Sequence, residues 1–171
     1  MSANPTIYYI RHGETDWNAE LRFQGRKDIP LNAKGQSQAD ENGRKLKMIL
    51  GGNTDLPFIA SPLGRARETM ERVRKQIGLD ASEYEIDERL IEISYGELEG
   101  TTQPEMKAAS REKYYERKKN PWTYTPLNGE SHEEALTRVK EWHGSLTEDC
   151  VVVTAQGDIV GVEAVKAYYT N

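Results

Sequence analysis

The sequence predicts an α/β fold of three layers, in which helices flank a mainly parallel β-sheet. Short apolar strands alternate with amphipathic helices along the 171 residues, and this alternation is typical of layered α/β domains. Residues able to do chemistry directly follow three of the predicted strands. No internal repeat, low-complexity segment or interdomain linker divides the chain, so we expect a single domain over residues 1–171.

The predicted strands are short runs of β-branched, aromatic and other apolar residues that end at turns. They cover residues 6–10, 58–60, 84–86 and 151–154. The last of them, three valines and a threonine, is the most strand-like segment of the chain.

The predicted helices carry apolar residues at spacings of three and four, with cap residues at their ends. Asn32 and Gly51 bound the first long helix, and Gly78 ends the second. A capping box at 131–134, with serine at the cap and glutamate three residues on, begins another. Further helices are predicted over 104–119 and 159–169, and long loops over 11–30 and 120–129.

Charge balance and cysteine content exclude several classes of function. The 28 acidic and 23 basic residues give a net charge of −5, which argues against general nucleic-acid binding. No stretch approaches the ~20 apolar residues of a membrane span, and no apolar run near the N-terminus forms a signal peptide, so a cytoplasmic location is expected. Cys150 is the single cysteine, which excludes an internal disulfide and a cysteine-rich metal site. The oligomeric state stays open, a dimer included.

Three polar segments follow predicted strands and are expected to meet. Arg11 and His12 follow the first strand, Ser61 follows the second, and Gln156 follows the last. In an open parallel sheet the carboxyl ends of the strands lie at one edge, where ligands bind. We therefore expect one site that combines these residues.

Arg11 and His12 suit phosphoryl chemistry. The arginine guanidinium is a planar fork of donors that matches a phosphate, and histidine can act as a nucleophile near neutral pH. Gly13 lets an anion approach the backbone closely. A lone histidine is more often structural than catalytic, but the strand-to-loop context of this one favours function.

Several motifs occur in one order along the chain. Residues 11–15 read Arg-His-Gly-Glu-Thr, and residues 61–69 match Ser-Pro-Leu-x-Arg-Ala-x-x-Thr. Residues 90–100 are similar to Leu-x-Glu-x-x-x-Gly-x-Trp/Leu-Glu-Gly, and residues 129–131 read Gly-Glu-Ser. Together they resemble the histidine phosphatase superfamily, also called the phosphoglycerate-mutase-like family. The resemblance implies that family's three-layer fold and phosphoryl transfer through a histidine.

The resemblance also implies roles for individual residues. His12 would be transiently phosphorylated, while Arg11 and Arg65 would hold the phosphate. Further contacts with the phosphate and the substrate would come from Asn18, Gln24 and Gly25.

Glu92 matches the position of the family's proton donor and acceptor, and would also contact the substrate. Its neighbours Ile91 and Ile93 are apolar, and poor solvation of a carboxyl group raises its pKa. A raised pKa is what an acid working near pH 7 requires.

The segment after the last strand departs from the family pattern. The family typically continues Val-Val-Val-Thr/Ala-His-Gly-Gly, whereas this chain has Gln156 at the histidine position and Asp158 two residues later. Gln156 can donate only a neutral N–H, roughly half as strong as a charge-assisted bond. By analogy with single oxyanion-hole donors, the expected loss is ~10² in rate. The chain ends at Asn171, before the last helix of its relatives, so a domain shortened at the C-terminus is expected.

These features predict a metal-independent phosphomonoester hydrolase of reduced activity that acts through phospho-His12. The expected ligand is a small phosphorylated substrate or inorganic phosphate, and no cofactor or metal is expected. Two alternatives stay open: a catalytically impaired pseudophosphatase that binds a phosphorylated ligand or protein partner, and a phosphoglycerate-type mutase. The sequence does not identify the substrate.

Overall fold

A computed structural model describes residues 6–145 and 150–154. Within these residues four parallel strands form one sheet, with helices on its faces. The strands are β1 (Ile7–Arg11), β2 (Phe58–Ala60), β3 (Glu85–Ile86) and β4 (Cys150–Thr154). Their order across the sheet is β1-β4-β2-β3, and every pairing is parallel. The predicted α/β class is confirmed, and the strands lie where the sequence predicted them to within one residue.

Helices fill the connections between the strands. They are α1 (Asp16–Ala19), α2 (Ala33–Leu50), α3 (Gly64–Ile77), α4 (Gln103–Ala109), α5 (Arg111–Lys119) and α6 (His132–Gly144). Two 3₁₀ turns lie at Glu88–Leu90 and Gly96–Leu98. No helix in the described part of the chain is long and apolar enough to cross a membrane. The helix predicted over 159–169 lies outside the described residues, as do Gln156 and Asp158.

Two apolar clusters receive side chains from the strands, because successive side chains along a strand point to opposite faces of the sheet. Ile10 and Phe58 belong to the larger cluster, which α2 and α3 complete. Ile59, which comes directly after Phe58, packs instead with Leu90 and with Trp142 of α6. Each fully buried aliphatic or aromatic side chain stabilises the fold by about 1.5–3 kcal/mol. The sheet is therefore covered on both faces.

The predicted cap residues bound the helices as expected. The Asn32 side chain accepts a hydrogen bond from the Gly35 N–H at 2.9 Å, and Gly51 ends α2 in the left-handed conformation. The Ser131 hydroxyl accepts from the Glu134 N–H at 3.2 Å, and the Ser131 N–H donates to the Glu134 carboxylate at 2.8 Å. These predictions are confirmed.

Residues 104–119, predicted to be helical, are helical except at Ser110, but they form two helices rather than one. Ser110 adopts an extended conformation (φ −153°, ψ 106°) that ends α4, and its hydroxyl accepts from the Lys113 N–H to cap α5. A serine hydroxyl competes with the helical backbone for hydrogen bonds, which makes serine a better cap than an interior residue. The loop predicted over 11–30 likewise contains the short helix α1.

Candidate active site

The carboxyl end of β1 borders a groove of about 1300 Å³, and Ser61, Arg65 and Glu92 do not line that groove. His12 follows β1 and Ser61 follows β2, and β4 lies between these two strands in the sheet. The groove is lined by the loop after β1, by one side of α2 and by residues 102–104. This is the edge at which open parallel sheets bind their ligands.

His12 is buried, and two contacts define which of its ring nitrogens carries hydrogen. Nδ1 lies 2.6 Å from the carbonyl oxygen of Gly13, which can only accept a hydrogen bond. Nε2 lies 3.2 Å from Nε of Arg65, which can only donate. Both contacts specify the Nδ1–H tautomer, so the lone pair lies on Nε2, where it accepts the Arg65 N–H, and Nε2 is the ring nitrogen that can act as a nucleophile.

Arg65 lies in the first turn of α3 and is only 1% exposed. Nη1 donates to the Lys27 carbonyl at 2.9 Å and Nη2 donates to the Gly25 carbonyl at 2.8 Å. Burial lowers the pKa of Arg65 from its usual value, but a guanidinium stays charged at neutral pH. Arg65 is therefore a fixed positive charge beside the nucleophile.

Gln24 is buried next to Arg65. With its amide oriented so that its nitrogen donates to the Thr15 hydroxyl, its oxygen accepts from Arg65 Nη1 at 3.0 Å. The same oxygen lies 2.7 Å from Arg65 Nε and shares the single N–H of that atom with His12 Nε2. Gln24 thus orients the arginine, and its contact with a substrate stays a prediction. Gly25 has φ +55°, and a Cβ there would collide with the Glu99 carboxylate, so this turn requires glycine.

Arg11 and Asn18 line the groove beside His12. Arg11 ends β1 and is exposed, and within the described ranges no hydrogen bond restrains its guanidinium. The Asn18 side-chain oxygen accepts from the Thr15 N–H at 3.1 Å as part of a capping box. Asn18 is therefore held at the wall of the groove, where its NH₂ group can donate to an anion.

Glu92 is half-buried on an irregular segment after the first 3₁₀ turn. Burial raises the pKa of Glu92 from 4.5 to about 7, although the N–H of Ile93 and the charges of Arg65 and Arg11 act to lower it. The Ile93 N–H donates to its carboxylate at 2.9 Å. The raised pKa agrees with the expectation from its apolar neighbours. Near neutral pH both protonation states are populated, which suits a group that gives and takes a proton.

The loop after β1 is held between α2 and α3. Thr69 Oγ1 accepts from the Gly13 N–H at 3.1 Å and donates to the Arg65 carbonyl at 2.8 Å. On the other side, a Cβ on Gly13 would overlap the Gly35 carbonyl, and one on Gly35 would overlap the backbone of Glu14. Two backbones therefore cross in direct contact immediately after the nucleophile.

Three residues near Glu92 were not predicted as functional. Arg138 of α6 forms a two-pronged ion pair with Glu130, and Arg26 contacts the same carboxylate. The sequence signal for Glu130 was the Gly-Glu-Ser motif at 129–131, where the cap role of the serine explained the motif. Nothing in the sequence singled out the two arginines.

Comparisons with known proteins agree with the resemblance of the motifs. The profile of the histidine phosphatase superfamily (branch 1) matches residues 7–160. A curated relative from Salmonella paratyphi C, "Probable phosphoglycerate mutase GpmB", is 43% identical over 93 residues, covering 54% of this chain and 40% of the relative. The matched region is thus less than half the length of that relative.

Two solved structures share the fold. The α-ribazole phosphatase from Shigella flexneri has a TM-score of 0.74 at 26% identity, covering 88% of this chain and 74% of that chain. TTHB049 from Thermus thermophilus has a TM-score of 0.66 at 32% identity, covering 90% of this chain and 79% of that chain. The profile match, the shared fold and the His12 geometry together establish that this chain belongs to the histidine phosphatase superfamily.

Proposed function

We propose that this chain hydrolyses phosphomonoesters without a metal, through a phosphohistidine intermediate. In the first step Nε2 of His12 attacks phosphorus, the ester P–O bond breaks, and Glu92 gives its proton to the departing oxygen. In the second step a water oxygen attacks phosphorus, the P–N bond breaks, and the Glu92 carboxylate takes a proton from that water. The products are the alcohol and inorganic phosphate.

The contacts of the two His12 ring nitrogens are the observation that carries this proposal. Nδ1–H is engaged by the Gly13 carbonyl, so the lone pair lies on Nε2, beside Arg65. Arg65 and the exposed Arg11 would neutralise the phosphoryl oxygens, which is the role of metal ions in many other phosphoryl-transfer enzymes.

The groove supports a small phosphorylated metabolite with an uncharged alcohol part as the substrate. Its volume of about 1300 Å³ leaves room beyond the phosphate. Apart from Arg11, the charged side chains along its described wall already have partners of opposite charge. The pairs are Glu14–Lys34 (2.7 Å), Glu20–Arg22 (2.6 Å) and Glu41–Lys45 (2.7 Å). A second anionic group of the substrate would have to disrupt such a pair, which disfavours it relative to a neutral polar group.

This charge pattern favours hydrolysis over a phosphoglycerate-type mutase reaction, because a phosphoglycerate carries a carboxylate in addition to its phosphate. The relatives' names include both a phosphoglycerate mutase and an α-ribazole phosphatase. The second name, that of a phosphatase, is the one that agrees with hydrolysis.

We further propose that turnover is slow, because Gln156 stands where the family carries its second histidine. A glutamine would offer the phosphoryl oxygens only a neutral donor in place of that histidine, and Asp158, two residues later in the sequence, carries a negative charge. The same two residues favour a second candidate function, a pseudophosphatase that binds a phosphorylated ligand without turning it over.

Hydrolysis of a panel of phosphomonoesters in the presence of a metal chelator tests both functions. Wild type should turn over at least one ester, His12→Ala should reduce the rate to background, and Gln156→His should raise it by ~10²-fold. After incubation with an ester labelled in its phosphoryl group, denaturation at alkaline pH should leave the label covalently bound to wild type but not to His12→Ala. Equal background rates in all three proteins, with measurable binding of inorganic phosphate, would refute hydrolysis and support the pseudophosphatase.

A further inference from the structure

The backbone that carries Glu92 is held by side chains rather than by a regular element. Residues 91–95 belong to no helix or strand, so no hydrogen-bond ladder orders them. Arg138 of α6 supplies side-chain hydrogen bonds in place of that ladder. Its Nη1 donates to the carbonyl of Arg89 and to the carbonyl of Ile91, both at 2.8 Å.

A second arginine holds the next carbonyl, and both arginines meet on one carboxylate. Arg26 Nε donates to the carbonyl of Glu92 at 3.1 Å, and its Nη2 donates to Glu130 at 3.2 Å. Arg138 binds Glu130 through Nε at 3.1 Å and Nη2 at 2.8 Å. Bonds of this charged, two-pronged kind are stronger and more directional than neutral ones. We refer to Arg26, Glu130 and Arg138 as the carboxylate clamp.

The inner part of the clamp is shielded from solvent. The side chains of Glu130 and Arg138 are 15% and 19% exposed, whereas that of Arg26 is 40% exposed. Water therefore weakens the Glu130–Arg138 pair less than it weakens a surface pair. The backbone of Glu130 adds a further tie, because its N–H donates to the Ser94 carbonyl at 2.8 Å on the far side of Glu92.

We propose that the carboxylate clamp positions Glu92 for proton transfer to the leaving oxygen. The proposal rests on the proposed function, in which Glu92 is the proton donor. A donor must lie within hydrogen-bond reach of the oxygen that it protonates, and a misplacement of ~1 Å can cost about 10²-fold in rate. The clamp arginines contact the backbone on which Glu92 lies rather than the reacting atoms, so the clamp residues are positioning residues.

Leaving-group dependence separates positioning from a purely structural role. An alkyl phosphate releases a basic oxygen that needs a proton, whereas p-nitrophenyl phosphate releases a stable phenolate that does not. Weakened proton donation should therefore slow the alkyl ester far more than the aryl ester. General loss of folded protein should slow both to the same extent.

The experiment compares kcat/KM for an alkyl phosphate and for p-nitrophenyl phosphate in Glu130→Gln, Arg138→Lys and Glu92→Gln. Each variant should lower the alkyl-to-aryl ratio of kcat/KM, by about 10- to 100-fold for the clamp variants and by at least as much for Glu92→Gln. The inhibition constant of inorganic phosphate, measured in parallel, should change by less than about threefold in the clamp variants, because the clamp does not hold Arg65.

Arg72→Met is the matched control for the loss of an arginine ion pair. Arg72 is 28% exposed and binds two carboxylates, those of Asp40 and Glu68, each at 3.2 Å. Its substitution should lower the melting temperature without changing the alkyl-to-aryl ratio. Glu130→Gln keeps the shape of the side chain, so it preserves the test if Arg138→Lys does not fold.

The possible outcomes separate the two proposals. If Glu92→Gln lowers the ratio and the folded clamp variants do not, positioning by the clamp is refuted while the proposed function stands. If Glu92→Gln leaves the ratio unchanged, its role as proton donor fails, and the clamp proposal fails with it. If wild type hydrolyses the esters no faster than His12→Ala does, both proposals are refuted.

Discussion

Replacing Glu92 with glutamine should make the protein more stable at alkaline pH relative to wild type. The pKa of this carboxyl group is raised from 4.5 to about 7 by burial in the fold. Between these two values the native state binds more protons than the unfolded chain, so the stability of wild type falls as the pH rises. The contribution of the protonated carboxyl group is complete below pH 4.5 and is lost as the pH passes about 7.

The size of this effect follows from the two pKa values. Their difference of about 2.5, at about 1.4 kcal/mol for each pH unit, corresponds to about 3 kcal/mol in the free energy of unfolding. Glutamine has nearly the same shape and does not ionise. The stability of Glu92→Gln relative to wild type should therefore rise by about 3 kcal/mol from pH 4.5 to pH 8, or roughly 6–12 °C in melting temperature.

Urea unfolding of both proteins, followed by circular dichroism at intervals between pH 4.5 and 8, measures this difference. Glu41→Gln is the control, because pairing with Lys45 lowers the pKa of Glu41 instead of raising it. Its stability should run parallel to that of wild type. Parallel curves for wild type and Glu92→Gln would refute the raised pKa, and would remove the basis for Glu92 as a proton donor near neutral pH.

Three further substitutions test how the site is built. Gly13→Ala should lower the free energy of unfolding by more than ~2 kcal/mol in urea titrations, because the added methyl group overlaps a neighbouring backbone. Gly144→Ala is the control, since a Cβ there meets no other atom, and it should be neutral or slightly stabilising. Gly25→Ala should weaken the binding of inorganic phosphate, measured by calorimetry, at least threefold, because it displaces the Gly25 carbonyl that holds Arg65. Unchanged phosphate affinity in a folded variant would contradict that role. The Asp28 carboxylate accepts from the Gly64 N–H at 2.8 Å at the start of α3, where the N-cap residue Leu63 makes no side-chain bond. Asp28→Ala should therefore cost about 1 kcal/mol in thermal unfolding, and Asp28→Asn should restore most of it.

The elements of the fold could be predicted because their signals are local. Asn32 and Ser131 cap helices through bonds to an N–H three residues away, so the sequence around each cap contains both partners. Ser110 shows the limit of such reasoning. The charged residues around it favour one helix, and its role as a cap within that stretch becomes visible only in the structure.

The site was predictable only where a motif keeps its residues close together. His12 and Glu92 each stand in a recognisable motif, but the contacts that prepare them join distant parts of the chain. Arg138 reaches a carbonyl 49 residues earlier, and Arg26 lies 104 residues before Glu130. Hydrophobic periodicity carries no information on such pairs, since it reports only which face of an element is buried.

The crossing of Gly13 and Gly35 couples the position of α2 to that of His12. Because no side chain cushions the two backbones, a displacement of the start of α2 passes directly to the loop that follows His12. Gln38, one turn further along α2, lines the groove and also accepts a hydrogen bond from the Glu14 N–H at 2.9 Å. An alcohol group that fits poorly against this helix would therefore tilt the imidazole away from its line of attack. In the proposed mechanism such a site would discriminate between esters through the rate of phosphorylation, so we expect its selectivity to appear in kcat more than in KM.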